Sequence, residues 1–353
     1  MQQREDFALL AKLNCPSVNV VPYGRMEGAP NFSDIKRLLS DKGTGRAGIV
    51  VVELPQKMNG GATMSLADIR ATRKLTKELG VHMHLDGSRL WEVQPYYAHT
   101  LVEICGLFDS VVIDFQKGLG ALGGAMLMGT ADMIQESIFW RQRLGGLHKS
   151  FFPTWLDCKG KFDAIQAHNP FTERFDRLCE LVHTLHQKVI TANSPVRFWP
   201  RVPNASMIHV YVYGHPEDLM RVHKIAEQIS GVALFEGFNG DGFGYRFKQG
   251  AFARDSWQYF EWRMSVGHEQ VTEDDLVYAW TVFLEQLQID VDRREKEEEE
   301  RSVKSRSEKE EEEKALTSRA ALEGAPDWWS APKDDTPLYI KMEKEREVRR
   351  VRF

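Results

Sequence analysis

The chain has 353 residues, and its 46 Lys and Arg against 51 Asp and Glu leave a formal net charge of −5. That balance offers no basic field for nucleic acid, and no run of 18 apolar residues is present to span a membrane. Four scattered cysteines (Cys15, Cys105, Cys158 and Cys179) with no CxxC pair argue against a disulfide framework or a zinc site, and with no signal-peptide core in MQQREDFALL they fit a reducing, cytoplasmic setting.

In chain order, Phe7, Leu9, Leu10 and Leu13 suit a short helix, and VNVVPYG (18–24) reads as a strand ending in a turn. NFSDIKRLLSD (31–41) predicts an amphipathic helix with Phe32, Ile35, Leu38 and Leu39 on one face. AGIVVVE (47–53) is a β-branched run expected to be a strand buried on both faces. SLADIRATRKLTKELG (65–80) predicts a helix, with Ser65 and Asp68 as a capping box and Gly80 as its stop. VHMHL (81–85) is a second strand, so the unit is a βαβ crossover within a parallel sheet. DSVVIDF (109–115) and GAMLMG (124–129) predict a third and fourth strand. A helix carrying Met133, Ile134, Ile138 and Phe139 follows.

Beyond Pro170 the texture changes. A long helix is predicted over 173–191, an alternating antiparallel strand over 206–214 and a helix over 216–230. Strands are expected at GVALF (231–235) and 257–267, and a capped helix at 272–287. The fold class expected is α/β: a mostly parallel sheet in a large domain (1–150), then a smaller α+β domain (165–290). Of the 22 residues from Arg293 to Lys314, 18 are Glu, Lys or Arg. The segment 293–353 is therefore expected to be a charged tail, helical or disordered.

Asp86 stands at the carboxyl end of a predicted strand in HLDGSRLWE (84–92), where open parallel sheets bind ligands. It could pair with a protonated ring nitrogen, hold a metal, or simply make a turn with Gly87. Lys117 closes the third strand and could be a Schiff-base nucleophile or a surface lysine. Gly118, Gly120 and Gly123 spell GxGxxG, but a strand follows them rather than a helix, and no acidic residue stands at 140–146. The dinucleotide reading is therefore set aside. Arg263 in WRMSVGHE could fork onto a carboxylate, whereas His82 and His84 read as packed, hydrogen-bonded histidines.

The stretches 59–92, 108–129, WRQRLGG (140–146) and RMSVGHEQVTEDDL (263–276) together resemble the threonine aldolase/β-eliminating lyase family, which uses pyridoxal 5′-phosphate on the type I aminotransferase fold. Asp86 and Lys117, 31 residues apart, match its spacing. The resemblance implies that Lys117 bonds the cofactor aldehyde, Asp86 pairs with its pyridine nitrogen, and Arg89 lies at cofactor and substrate carboxylate. It implies Arg263 as the clamp on that carboxylate and Arg141 and Arg143 near the cofactor phosphate. It also implies an amino acid substrate, a homodimer or homotetramer, and retro-aldol cleavage of a β-hydroxy-α-amino acid to glycine and an aldehyde, with no metal. Two departures stand out. The family's Gly-Thr phosphate cradle and ring-stacking histidine precede the matched region and have no counterpart in residues 1–46. ELPQKMNGG (53–61) also replaces the commoner Glu-Asn-Thr-His-Asn form. These departures leave open a truncated or inactive member that works by binding.

Overall fold

The computed structural model describes residues 21–23, 28–41, 47–147, 151–190, 194–241, 257–264 and 271–323. The expected helix around Leu9 and most of the expected strand at 18–24 lie outside them, and residues 21–23 are irregular. The chain divides into Met1–Val291 and Asp292–Phe353.

Within the first unit, helix α1 (Phe32–Ser40) starts where the Asn31 side chain accepts the Asp34 N–H. Strand β1 (Ile49–Glu53) follows. Helix α2 (Leu66–Leu79) is capped by Ser65, whose Oγ accepts the Asp68 N–H at 3.1 Å, and it stops at Gly80, where φ is 63°. Strand β2 (His82–Asp86), helices α3 (Leu90–Tyr97) and α4 (Leu101–Cys105), and strand β3 (Ser110–Asp114) come next. The chain then enters a one-turn helix, α5 (Phe115–Leu119), and strand β4 (Ala125–Met128).

These four strands form one sheet in the order β1-β2-β3-β4, with three parallel strands and an antiparallel β4 at the edge. Val52, Met83, Leu85, Ile69 and Ile104 fill its core on one face. The expectation that β1 would be buried on both faces is corrected: its burial alternates, and Ile49 is 52% exposed. β-branched composition alone does not distinguish one covered face from two.

Helices α6 (Ala131–Arg143), α7 (Phe152–Ala167) and α8 (Phe171–Lys188) lead to a second sheet. Its strands are β5 (Val196–Trp199), β6 (Met207–Tyr213), β7 (Gly240–Asp241) and β8 (Trp257–Arg263), in the order β5-β6-β8-β7 and antiparallel throughout. Helix α9 (Pro216–Ser230) and the first turns of α10 (Glu273–Glu323) supply the covering side chains. Phe260, Trp280 and Phe283 are fully buried there, and each stabilises the fold by roughly 1.5–3 kcal/mol. The strand expected at 231–235 is absent. After the left-handed cap at Gly231 the segment runs as a loop, and the N–H groups of Leu234 and Phe235 donate to His223 Nε2. A side chain thereby takes up donors that a ladder would otherwise satisfy.

In the second unit the charged run is helical through Glu323. Its one aliphatic residue before Lys314, Val303, is 66% exposed. None of the described helices is long and apolar enough to cross a membrane.

Candidate active site

Three carboxylates stand at the ends of three successive parallel strands: Glu53 on β1, Asp86 on β2 and Asp114 on β3. Glu53 and Asp86 are register partners, so their side chains leave the sheet on the same face from strands about 4.8 Å apart. Asp86 Oδ1 accepts the Ser88 N–H at 3.1 Å and the Ser88 hydroxyl at 2.6 Å. Among the described residues its Oδ2 accepts no hydrogen bond, which leaves that oxygen for a ligand.

Asp114 caps α5 by accepting the N–H groups of Gln116 and Lys117 at 2.8 and 3.1 Å. Its other oxygen lies 3.5 Å from Lys117 Nζ, and the lysine side chain is 39% exposed. Lys117 therefore stands in a helical turn rather than on the strand itself, as the sequence had suggested. Gly118 permits that turn: a Cβ added there would lie 2.9 Å from Trp91 Cε3. Gly120 ends the turn at φ 69°, and an antiparallel strand follows. The GxGxxG spelling thus opens no helix of the dinucleotide kind.

The Glu53 carboxyl is pushed up to about 7, by burial first and by the Asp86 charge second, while Arg89 and Lys117 pull it down. Three of its electrostatic partners, Asp86, Arg89 and Lys117, are thus residues singled out from the sequence, and the Lys57 N–H also pulls it down. Arg89, the N-cap residue of α3, is 7% exposed, and its Nε has no hydrogen-bond partner among the described residues. His82 and His84 both hydrogen-bond to Ser110 Oγ, at 2.8 and 2.7 Å, as packed histidines should. Burial holds the His84 imidazole below its ordinary range.

Arg263 ends β8. Its Nη2 donates to Glu261 Oε1 at 2.6 Å, and its Nη1 lies 3.9 Å from Glu92 Oε1. Glu92 lies on α3, three residues after Arg89, so one helix faces both arginines. Burial pushes the Glu92 carboxyl above its ordinary range, against the pull of Arg263 and Arg89. Arg141 and Arg143 end α6 and are exposed; Arg143 lies over the Trp140 ring at 5.4 Å. No described contact joins either arginine to Asp86, Lys117 or Arg89.

Sequence reasoning missed Glu53, Glu92 and Glu261. Each carries a weak signal: Glu53 ends an apolar strand, and Glu92 stands six residues after Asp86. Glu261 alternates with Arg263 on β8 and so shares its face.

The mostly parallel sheet with its helices has the fold of fold type I pyridoxal-phosphate enzymes. Residues 10–192 match the beta-eliminating lyase family, and the chain belongs to it. The chain is 42% identical over 87 residues to the alanine racemase TOXG of Cochliobolus carbonum and 37% identical over 98 residues to the aldolase vrtJ of Penicillium aethiopicum. Those matches take in 25% and 28% of this chain but only 22% and 24% of the relatives, so the chain spans under a quarter of their length. A crystal structure of a Listeria monocytogenes protein described as an L-allo-threonine aldolase superposes with a TM-score of 0.66 at 24% identity, covering 79% of this chain and 71% of that one. This likeness supports the fold. The cofactor of the family is pyridoxal 5′-phosphate.

Proposed function

We propose that the protein is a pyridoxal-phosphate-dependent lyase that cleaves a β-hydroxy-α-amino acid to glycine and an aldehyde. The observation that carries this reading is the grouping of Asp86, Lys117 and Arg89 around one half-buried carboxyl, Glu53. Division of the body into a cofactor domain (1–150) and a smaller domain (165–290) belongs to the same proposal. So do a cytoplasmic location and a homodimeric or homotetrameric state.

The donor set fits the cofactor. Lys117 offers an amine at the sheet mouth, and the free oxygen of Asp86 can accept the pyridine N–H and hold its proton there. Arg89 has an unpartnered buried N–H to offer. Arg141 and Arg143 are assigned to phosphate on family grounds alone. When bound, pyridoxal phosphate supplies an electron sink for charge developing at the substrate Cα.

The chain's own residues do the rest. Arg263 holds the substrate carboxylate by charge-assisted hydrogen bonds. Fixing that group orients the Cα–Cβ bond relative to Lys117 and Asp86. Glu53, with its carboxyl near neutrality, can hold or release a proton beside Asp86. In the net reaction the β-hydroxyl proton leaves, the Cα–Cβ bond breaks, Cβ becomes the aldehyde carbon and Cα takes a proton to give glycine.

The test is to add pyridoxal phosphate to the purified chain and follow the visible absorbance band of a lysine-bound cofactor, then assay glycine release from threonine and allo-threonine. A band lost in Lys117→Ala, with glycine released by the parent only, supports the reading. No band at millimolar cofactor counts against it.

A further inference from the structure

Arg263 is already held between two carboxylates, and these differ in a way that bears on substrate binding. Glu92 is buried, with a 4% exposed side chain, and its Oε2 has no hydrogen-bond partner among the described residues. Besides Arg263, the cations that act on Glu92 are Arg89, the N-cap residue of its own helix, and Arg174. Glu261 is less enclosed, at 15%, and sits on the same strand face as Arg263. It makes the shorter contact, 2.6 Å against 3.9 Å. It also has a second cation within reach: Lys57 Nζ, from the turn after β1, lies 3.7 Å from Glu261 Oε2. The ions therefore run in a row, Lys57–Glu261–Arg263–Glu92.

A carboxylate that bonds a guanidinium edge occupies the geometry an incoming carboxylate needs. A guanidinium has few donor edges, and one of the N–H groups on Arg263, at Nε, has no partner among the described residues. We propose that Glu261 is a place-holder for the substrate carboxylate: it occupies Arg263 until substrate arrives and then passes to Lys57. Glu92 stays behind Arg263 and keeps the charged group from following its ligand. This assignment rests on the reading of Arg263 as the carboxylate clamp and makes Glu261 and Lys57 the residues that set affinity. An unguarded, partly exposed arginine would accept any small anion. With Glu261 in place, a ligand must outcompete an intramolecular carboxylate, and one that also makes contacts elsewhere in the site has the advantage.

The experiment is calorimetric titration of glycine into the parent, Glu261→Gln, Lys57→Met and the double variant, each with and without added pyridoxal phosphate. Both positions are partly exposed, and folding is checked by circular dichroism. Glu261→Gln is expected to bind glycine roughly fivefold tighter, and Lys57→Met several-fold weaker, because Glu261 loses its alternative partner. The Lys57 effect should vanish in the Glu261→Gln background. Equal affinity of parent and Glu261→Gln overturns the inference. A Lys57 effect that persists without Glu261 also overturns it, as does the absence of glycine binding in every variant. The functional reading fails separately, through a missing cofactor band, which the comparison of affinities without cofactor does not require.

Discussion

The two sheets of the first unit are built on opposite terms. In the second, β6 is buried at all but its last residue and β8 at five of seven positions. Its core is an aromatic stack: Phe260, Trp262, Trp280 and Phe283 have ring centroids 5.3–6.3 Å apart where they meet. In the first sheet burial alternates along β1 and β2, and the less covered face carries His82, His84, Glu53 and Asp86. Every candidate group except Arg263, Glu261 and the two α6 arginines belongs to the first sheet or its connections. Arg263 and its companion Glu261 stand at the end of the rigid second sheet. The side chains proposed to react thus lie on the less covered face, and the proposed clamp stands at the end of the more tightly packed sheet.

The largest effect expected is Lys117→Ala, which should abolish cofactor absorbance and glycine release with little change in thermal midpoint, because the side chain is 39% exposed and adds little to packing. A drop of more than a few degrees would make Lys117 structural and weaken the division between the sheets. Phe260→Ala tests the other side. It should cost about 3–5 kcal/mol in urea unfolding, whereas Val51→Ala on the partly covered face of β1 should cost about 1 kcal/mol. Similar values for the two would mean that the first sheet is as tightly filled as the second.

Strands β1 to β4, β6 and β8 are legible in the sequence as short, mostly apolar runs, whereas β5 (Val196–Trp199) and the two-residue β7 (Gly240–Asp241) went unread; the capping of α2 by Ser65 and Gly80 follows from side-chain chemistry alone. The loop at 231–235 is not legible. GVALF has strand composition, and only the approach of His223 from α9 shows that its N–H groups are satisfied without a ladder. Asp86, Lys117 and Arg89 were legible because they lie within one stretch of chain and one motif each. The Lys57–Glu261–Arg263–Glu92 row joins residues up to about 200 positions apart and is set by packing, which no single-sequence pattern carries.

Glu53 sharpens the comparison through pH. Its folded value of about 7 lies above the ordinary 4.5, so between those values the folded chain holds a proton that the unfolded chain has lost. Stability contributed by Glu53 is therefore full below pH 4.5 and is lost as pH rises through 7. The loss is at most about 3 kcal/mol. Glu53→Gln should flatten this part of the pH–stability curve, and an unchanged slope would place the carboxyl in water. A smaller cost is expected at Gly118, where alanine would meet Trp91: about 1–2 kcal/mol, with weaker cofactor binding because the Lys117 turn must shift.

The smallest effect separates an open face from a covered one. Ile49 begins β1 and is 52% exposed, beside His82 in register. Ile49→Thr keeps the β-branch and should change unfolding free energy by less than about 0.5 kcal/mol at low protein concentration. Strand propensity gives no reason for a larger change, since Thr suits a pleated surface as Ile does. If a second copy covers this face in the proposed oligomer, the same substitution should cost more as protein concentration rises, because association stabilises only the folded form. Thermal midpoints of parent and variant measured across a hundredfold concentration range separate the two cases. A constant small difference means that the face is open in solution. A difference that grows with concentration means that the incomplete burial of the first sheet is completed by another chain.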